Sequence, residues 1–158
     1  MSKVLAFDQS TRCSGYAMFE GGKYIESGVI DMSKSKLETD KRSFEMAKEC
    51  WKIIKKYKPE VLFIEDVQSQ ANPKTMIILA RLAGMIIGYA EAHKVQVHII
   101  TPSQWRSMLN FKLGAGVKRQ ELKQQSIDYV KDTYGIDAPE DEAEAIALGA
   151  GAHIKYNL

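Results

Sequence analysis

With 158 residues, 45% of them apolar and 27% charged, the chain has the composition of one ordinary globular domain over 1–158, large enough to bury a core without disulfide or metal staples. Two cysteines, Cys13 and Cys50, show neither a CxxC pair nor His/Cys ligand spacing, which argues against structural zinc and for reduced thiols in a cytosol-like compartment. The net charge of +2 is uninformative in total. No secretory leader pattern follows Met1, and the longest apolar stretch, Met76 to Ala90, is broken by Arg81 and reads as too short for a bilayer. The expectation is a cytoplasmic protein with no membrane partner.

In chain order, Lys3 to Asp8 (KVLAFD) is an apolar run ending on an acid and predicts a buried strand. Gly15 to Glu20 predicts a second strand, Gly21-Gly22 a hairpin turn, and Lys23 to Asp31 a third strand. A polar linker from Met32 to about Thr39 follows. Phe44, Ala47, Cys50/Trp51, Ile54 and Tyr57 then recur as one face of a helix, with Pro59 just past its end. Val61 to Glu65 (VLFIE) predicts another buried strand ending on an acid. Asn72 before Pro73 reads as a helix cap. The helix from Lys74 to His93 is apolar on nearly all sides, so it is either central to the fold or half buried in a partner. Val95 to Ile100 predicts a fifth strand, Pro102 opens a short helix containing Trp105, and Gly114 to Gly116 form a loop. Lys118 to Tyr134 and Asp141 to about Ile154 complete the chain as helices. This order predicts an α/β fold: a five-stranded mixed sheet, three antiparallel strands then parallel strands, flanked by helices.

Charge is segregated along the chain. Between Thr101 and Val130 lie five basic residues and two acidic ones, whereas Asp137 to Glu144 holds five acids and no base. A basic segment beside a carboxylate cluster suits an enzyme that grips a polyanion and uses cations to cut it; two solvated faces of opposite sign fit equally well at this point.

Asp8 and Glu65 end apolar strands, where an unpaired acid would be costly if buried. If the first and fourth strands are adjacent and parallel, both acids emerge at one edge. Asp141 and Glu144 are three apart and share one face of the last helix, with Glu142 expected to face solvent. Taken singly, Asp141 and Glu144 read as acids favoured by a helix N-terminus, and Asp8 as a turn residue. The set of four favours a hard divalent cation, Mg²⁺ or Mn²⁺. Two such ions ~4 Å apart suit phosphodiester cleavage. Among the other polar residues, Ser10 and Thr11 either hold a phosphate or form a turn, and Arg119 and Lys118 either meet phosphate or stand in solvent. Trp105 packs in the core or, with Arg106, contacts DNA. The three histidines show no ligand spacing.

These motifs resemble the RuvC family of Holliday-junction resolvases, especially its short phage-type members. Ala6-Phe7-Asp8-Gln9-Ser10-Thr11 followed by Gly15-Tyr16 is similar to the family's first-strand Asp and downstream Gly, and Phe63-Ile64-Glu65-Asp66 to its fourth-strand Glu. Asp141-Glu142-Ala143-Glu144-Ala145-Ile146-Ala147 resembles its D-x-x-D-A-x-A helix, and Gly114 to Gln120 its glycine loop followed by Lys-x-Gln. The resemblance implies a ribonuclease H-like fold and a homodimer that nicks two strands of a four-way or other branched DNA with Mg²⁺. It implies Asp8, Glu65, Asp141 and Glu144 as metal ligands and Lys118 near the scissile phosphate; Ser10, Gln68, Arg106 and Arg119 are weaker candidates for DNA contact. A phage-encoded enzyme acting in the host cytoplasm is part of that expectation. Two departures stand out: Glu144 replaces the more usual Asp, and Asp66-Val67-Gln68-Ser69 lacks the aromatic wedge that cellular members carry after the Glu. A broader branched-DNA nuclease therefore stays open. So do an actin-like nucleotide-binding module, from the Asp8-Gln9-Ser10-Thr11 turn, and a non-cleaving junction binder.

Overall fold

The computed structural model describes residues 2–69 and 72–158. Its elements follow one another as β1 (Lys3–Asp8), β2 (Cys13–Glu20), β3 (Lys23–Asp31), α1 (Thr39–Tyr57), β4 (Val61–Glu65), α2 (Pro73–Ala92), β5 (Gln96–Ile100), α3 (Pro102–Met108), α4 (Arg119–Tyr134) and α5 (Glu140–Tyr156). The sheet order is β3-β2-β1-β4-β5. β1, β2 and β3 pair antiparallel, and β4 and β5 add to β1 in parallel. The mixed α/β sheet expected from the sequence is the one observed.

Both faces of the sheet are covered, which is why the central strands read as continuous apolar runs. Successive residues of β1 go to opposite sides. Val4 and Ala6 join Phe63, Trp105 and Ile146 under α3, α4 and α5. Leu5 and Phe7 join Met46, Ile54, Leu82 and Ile86 under α1 and α2. Nearly all of α5 from Ala143 to His153 is buried, and its small residues allow this. A side chain on Gly149 would strike the Phe19 ring, and one on Gly151 the backbone carbonyl of Trp105.

Three details differ from the sequence reading. The face of α1 turned inward is Ser43, Met46, Ala47, Cys50 and Ile54, while Phe44 is 46% exposed. Ala47, Cys50 and Ile54 belong to both the predicted and the observed face, and burial against Leu5 and Leu82 adds Met46 to it in place of Phe44. Glu142 is not left to solvent: it accepts a hydrogen bond from Ser27 Oγ, tying α5 to β3. The apolar stretch Met76 to Ala90, read as too short for a bilayer, lies within a helix of 20 residues, Pro73–Ala92. By length and composition that suffices to cross a membrane. What holds α2 in the fold is its buried face, Leu82, Ala83, Ile86 and Ala90, and the Trp51 indole donating to the Met85 carbonyl at 3.1 Å.

Candidate active site

β1 and β4 pair in parallel from Val4 opposite Val61 to Phe7 opposite Ile64. The next residues on the two strands, Asp8 and Glu65, therefore leave the sheet side by side at one edge. Gln9 Nε2 donates to the Glu65 carbonyl at 2.8 Å and ties the two strand ends together beyond the last paired residues. On its other side Asp8 pairs with Gly15 of β2. A Cβ at Gly15 would collide with the backbone carbonyl of Asp141, so the missing side chain is what lets the start of α5 close on this edge. That helix start brings Asp141 and Glu144.

The four carboxylates line one cleft of about 590 Å³ together with Arg106, Arg119, Lys123, Ser10 and Gln68. Gly15→Ala is expected to push α5 outward, lowering stability by ~2 kcal/mol. Differential scanning calorimetry showing an unchanged midpoint would contradict this packing role.

Burial and mutual repulsion dominate the electrostatics of the four carboxylates. Asp8 holds its proton well above the ordinary value, first because it is buried, then because Glu65, Glu144 and Asp141 surround it; Lys123 opposes the shift. Burial also raises Glu65, and Glu144 adds to this, while the Trp105 indole and the charges of Arg106 and Arg119 pull it down. Glu144 is raised by burial against the lowering effects of Arg106, Ser126 and Lys123. Cys13, at the start of β2, has its thiol pushed up to about 12 by burial and by a hydrogen bond to Asp141.

Two of the carboxylates also have protein donors. Glu65 Oε2 accepts from Trp105 Nε1 at 2.9 Å. Glu144 accepts from Arg106 Nη2 at 3.2 Å and from Ser126 Oγ at 2.9 Å. Among the described residues, no three Asp, Glu, His or Cys side chains already meet around a single point. The donor set nonetheless fits a divalent cation: four hard oxygens, three of them with raised pKa values, gather where a positive charge would relieve their repulsion.

The other residues named from the sequence are distributed as follows. Arg119 and Arg106 line the cleft, and Gln68 lines it with Nε2 directed at the Asp66 carbonyl. Ser10 lines it too, but its hydroxyl donates to the Cys13 carbonyl at 3.0 Å, closing the turn between β1 and β2. Lys118 is the residue before α4, exposed and outside the cleft lining. Trp105 is fully buried. His153 and His98 pack against Phe63, consistent with structural roles. Sequence reasoning missed Lys123, Gln9 and Ser126. Lys123 could have been found, because it lies four residues after Arg119 and so on the same face of α4. The contacts of Gln9 and Ser126 span 56 and 18 residues and leave no local signal.

Comparison with known proteins identifies the family. The family model for crossover junction endodeoxyribonuclease RuvC matches residues 4–152. The RuvC of Fusobacterium nucleatum is 31% identical over 150 residues, covering 92% of this chain and 77% of that protein. The RuvC of Syntrophomonas wolfei is 28% identical over 160 residues, covering 99% of this chain and 91% of the relative. Among solved structures, Thermus thermophilus RuvC in complex with Holliday junction substrate matches with a TM-score of 0.76 at 14% identity, over 99% of this chain and 96% of that one. The yeast mitochondrial Holliday junction resolvase matches with a TM-score of 0.59 at 16% identity, over 98% and 81%. The fold is the ribonuclease H-like one, and the chain belongs to the RuvC family of crossover junction endodeoxyribonucleases.

Proposed function

We propose that this chain is a divalent-metal-dependent endonuclease that resolves Holliday junctions or related branched DNA by paired phosphodiester hydrolysis. The observation that carries this reading is the convergence of Asp8, Glu65, Asp141 and Glu144, from three separate elements, on one cleft rimmed by Arg106, Arg119 and Lys123. Nucleases of the family depend on a divalent cation. Here the four carboxylates would hold it, Mg²⁺ with Mn²⁺ able to substitute and two ions per site; when bound it activates water and stabilises the leaving oxygen. The chain's own residues do the rest. Arg119 and Arg106 present guanidinium forks to phosphate and hold the strand against the carboxylates. Ser10 and Gln68 offer weaker contacts to the same strand. Lys118, on the exposed start of α4, reaches the scissile phosphate from outside the cleft and offsets its developing charge. Hydrolysis leaves a 5′-phosphate and a 3′-hydroxyl. The bacterial cytoplasm is the setting. Cleavage that persists with EDTA, against cleavage restored by Mg²⁺ or Mn²⁺, decides the metal reading.

Symmetric nicking needs two sites, and α2 supplies a surface for pairing two copies. Its outward face carries Ile77, 47% exposed, and Gly84 and Gly88, at each of which a Cβ would meet nothing within 4 Å. A homodimer through this face puts two clefts on one two-fold assembly, matching the symmetry of a four-way junction. Gly84→Glu is expected to leave the fold intact, since the position is open in the single copy, and to shift sedimentation from dimer to monomer. A wild type that sediments only as monomer at micromolar concentration would end this part of the reading. The segment Asp66-Val67-Gln68-Ser69 carries no aromatic wedge, which favours tolerance of flaps and other branches beside four-way junctions.

A further inference from the structure

Trp105 is buried in the core, as one of the two sequence readings had it. It lies on α3, which starts directly after β5 behind the Thr101 cap, and it packs edge-to-face on Phe111 with ring centroids 6.0 Å apart. The bare Gly151 lets α3 settle on α5 at the Trp105 backbone. From that seat the indole Nε1 reaches Glu65 Oε2 at 2.9 Å. A buried indole N–H needs an acceptor and a buried carboxylate needs donors, and here each serves the other. The next residue, Arg106, lies over the same indole ring at 4.9 Å and reaches Glu144 at 3.2 Å. One short helix thus grips carboxylates from β4 and from α5 at once.

We infer that Trp105 is a positioning residue for Glu65: its indole N–H fixes the rotation of the carboxylate and leaves Oε1 to a divalent cation in the cleft. This rests on the metal reading of the site. Groups that hydrogen-bond a ligating carboxylate set its orientation, and their loss weakens metal affinity by roughly 10- to 100-fold. An aromatic side chain without a donor fills the same space but leaves Glu65 to rotate.

Trp105→Phe keeps a buried ring and removes the donor. Titrating the DNA-free protein with Mn²⁺ by calorimetry, at a temperature where the variant is folded, should give a dissociation constant raised about tenfold. Junction cleavage should recover toward the wild-type rate as metal is raised. A purely structural role would lower the melting temperature and leave the affinity of the folded protein unchanged; equal Mn²⁺ affinity overturns the proposal. Should Trp105→Phe fail to fold, the indole N–H resonances of the wild type keep the question open to test. The chain has two tryptophans, and Trp51, bonded to the Met85 carbonyl, is the internal control. The Trp105 signal should move on adding Mg²⁺ and in Glu65→Gln, with the Trp51 signal still; a Trp105 signal that ignores both overturns the role. A wild type that takes up neither ion overturns the metal reading and this role with it. That outcome is distinct from failure of the role alone, in which wild type and Trp105→Phe bind metal equally.

Discussion

Asp8→Asn is expected to lower the rate of junction cleavage by about a thousandfold or more while junction binding survives, a loss of ~4 kcal/mol of transition-state stabilisation. Asp8 is the carboxylate on which the other three act, since Glu65, Glu144 and Asp141 all raise its proton affinity. Replacing one oxygen with an amide nitrogen removes a hard ligand and a negative charge from the centre of the set. The same substitution has a signature in stability with the opposite sign. An acid whose pKa is higher in the folded than in the unfolded chain binds more protons when folded. Its favourable contribution is complete at low pH and is lost as pH rises from the ordinary value of 3.8 through the raised one. At neutral pH without metal, wild type therefore carries the cost of a charged, crowded Asp8, and Asp8→Asn does not. The variant should melt several degrees higher in EDTA, given that ~1 kcal/mol moves the midpoint by roughly 3 °C at this size. The gap should close toward pH 4. Added Mg²⁺ should raise the wild-type midpoint and leave that of the variant unmoved. A variant that melts lower than wild type in EDTA at pH 7 would show that Asp8 is held by donors rather than crowded by like charge.

Lys118→Ala is expected to keep the fold and slow turnover of saturating junction by about a hundredfold, the order for a charge that meets the transition state directly. The side chain is exposed at the head of α4 and forms no ion pair among the described residues, so nothing in the fold depends on it. Its neighbour Arg119 lines the cleft, which puts the Lys118 backbone at the cleft's edge. Lys123 is the control. It stands inside the cleft, pairs with Glu140 and lowers the pKa of both Asp8 and Glu144. Lys123→Ala should weaken the acid set at rest, seen as a lower melting temperature in EDTA at neutral pH. Near-wild-type turnover by Lys118→Ala would remove Lys118 from the mechanism and leave Lys123 as the lysine at the phosphate.

Most of the fold was legible because local and global signals agree. β1, β3 and β4 have the predicted bounds, and in β1 and β4 the apolar run stops at an acid that marks the sheet edge. The carboxylates were legible for the same reason, with Asp141 and Glu144 fixed by helical spacing. Phe44 was misplaced because a helix with apolar residues on two stripes does not say which one meets the sheet. Glu142 was misplaced because its partner Ser27 lies 115 residues away. The shell around the acids was hidden by the same distance: Trp105 meets Glu65 across 40 residues, and Arg106 meets Glu144 across 38. A residue type can announce a candidate metal ligand, but which donors meet it is decided by packing. The small residues of α5 show the converse, since Gly149 and Gly151 gave no signal of function until their contacts with Phe19 and Trp105 were seen.

The measurement that tests the central claim most directly is cleavage of an end-labelled four-way junction beside a matched linear duplex, in Mg²⁺ and in EDTA, with Asp8→Asn in parallel. The account predicts paired nicks at symmetric positions in the junction, absent with EDTA and absent with Asp8→Asn, and little cutting of the duplex. Tight junction binding with no cutting in Mg²⁺ or Mn²⁺ would contradict it, and would leave the four carboxylates as a structural cluster in a protein that only holds branched DNA.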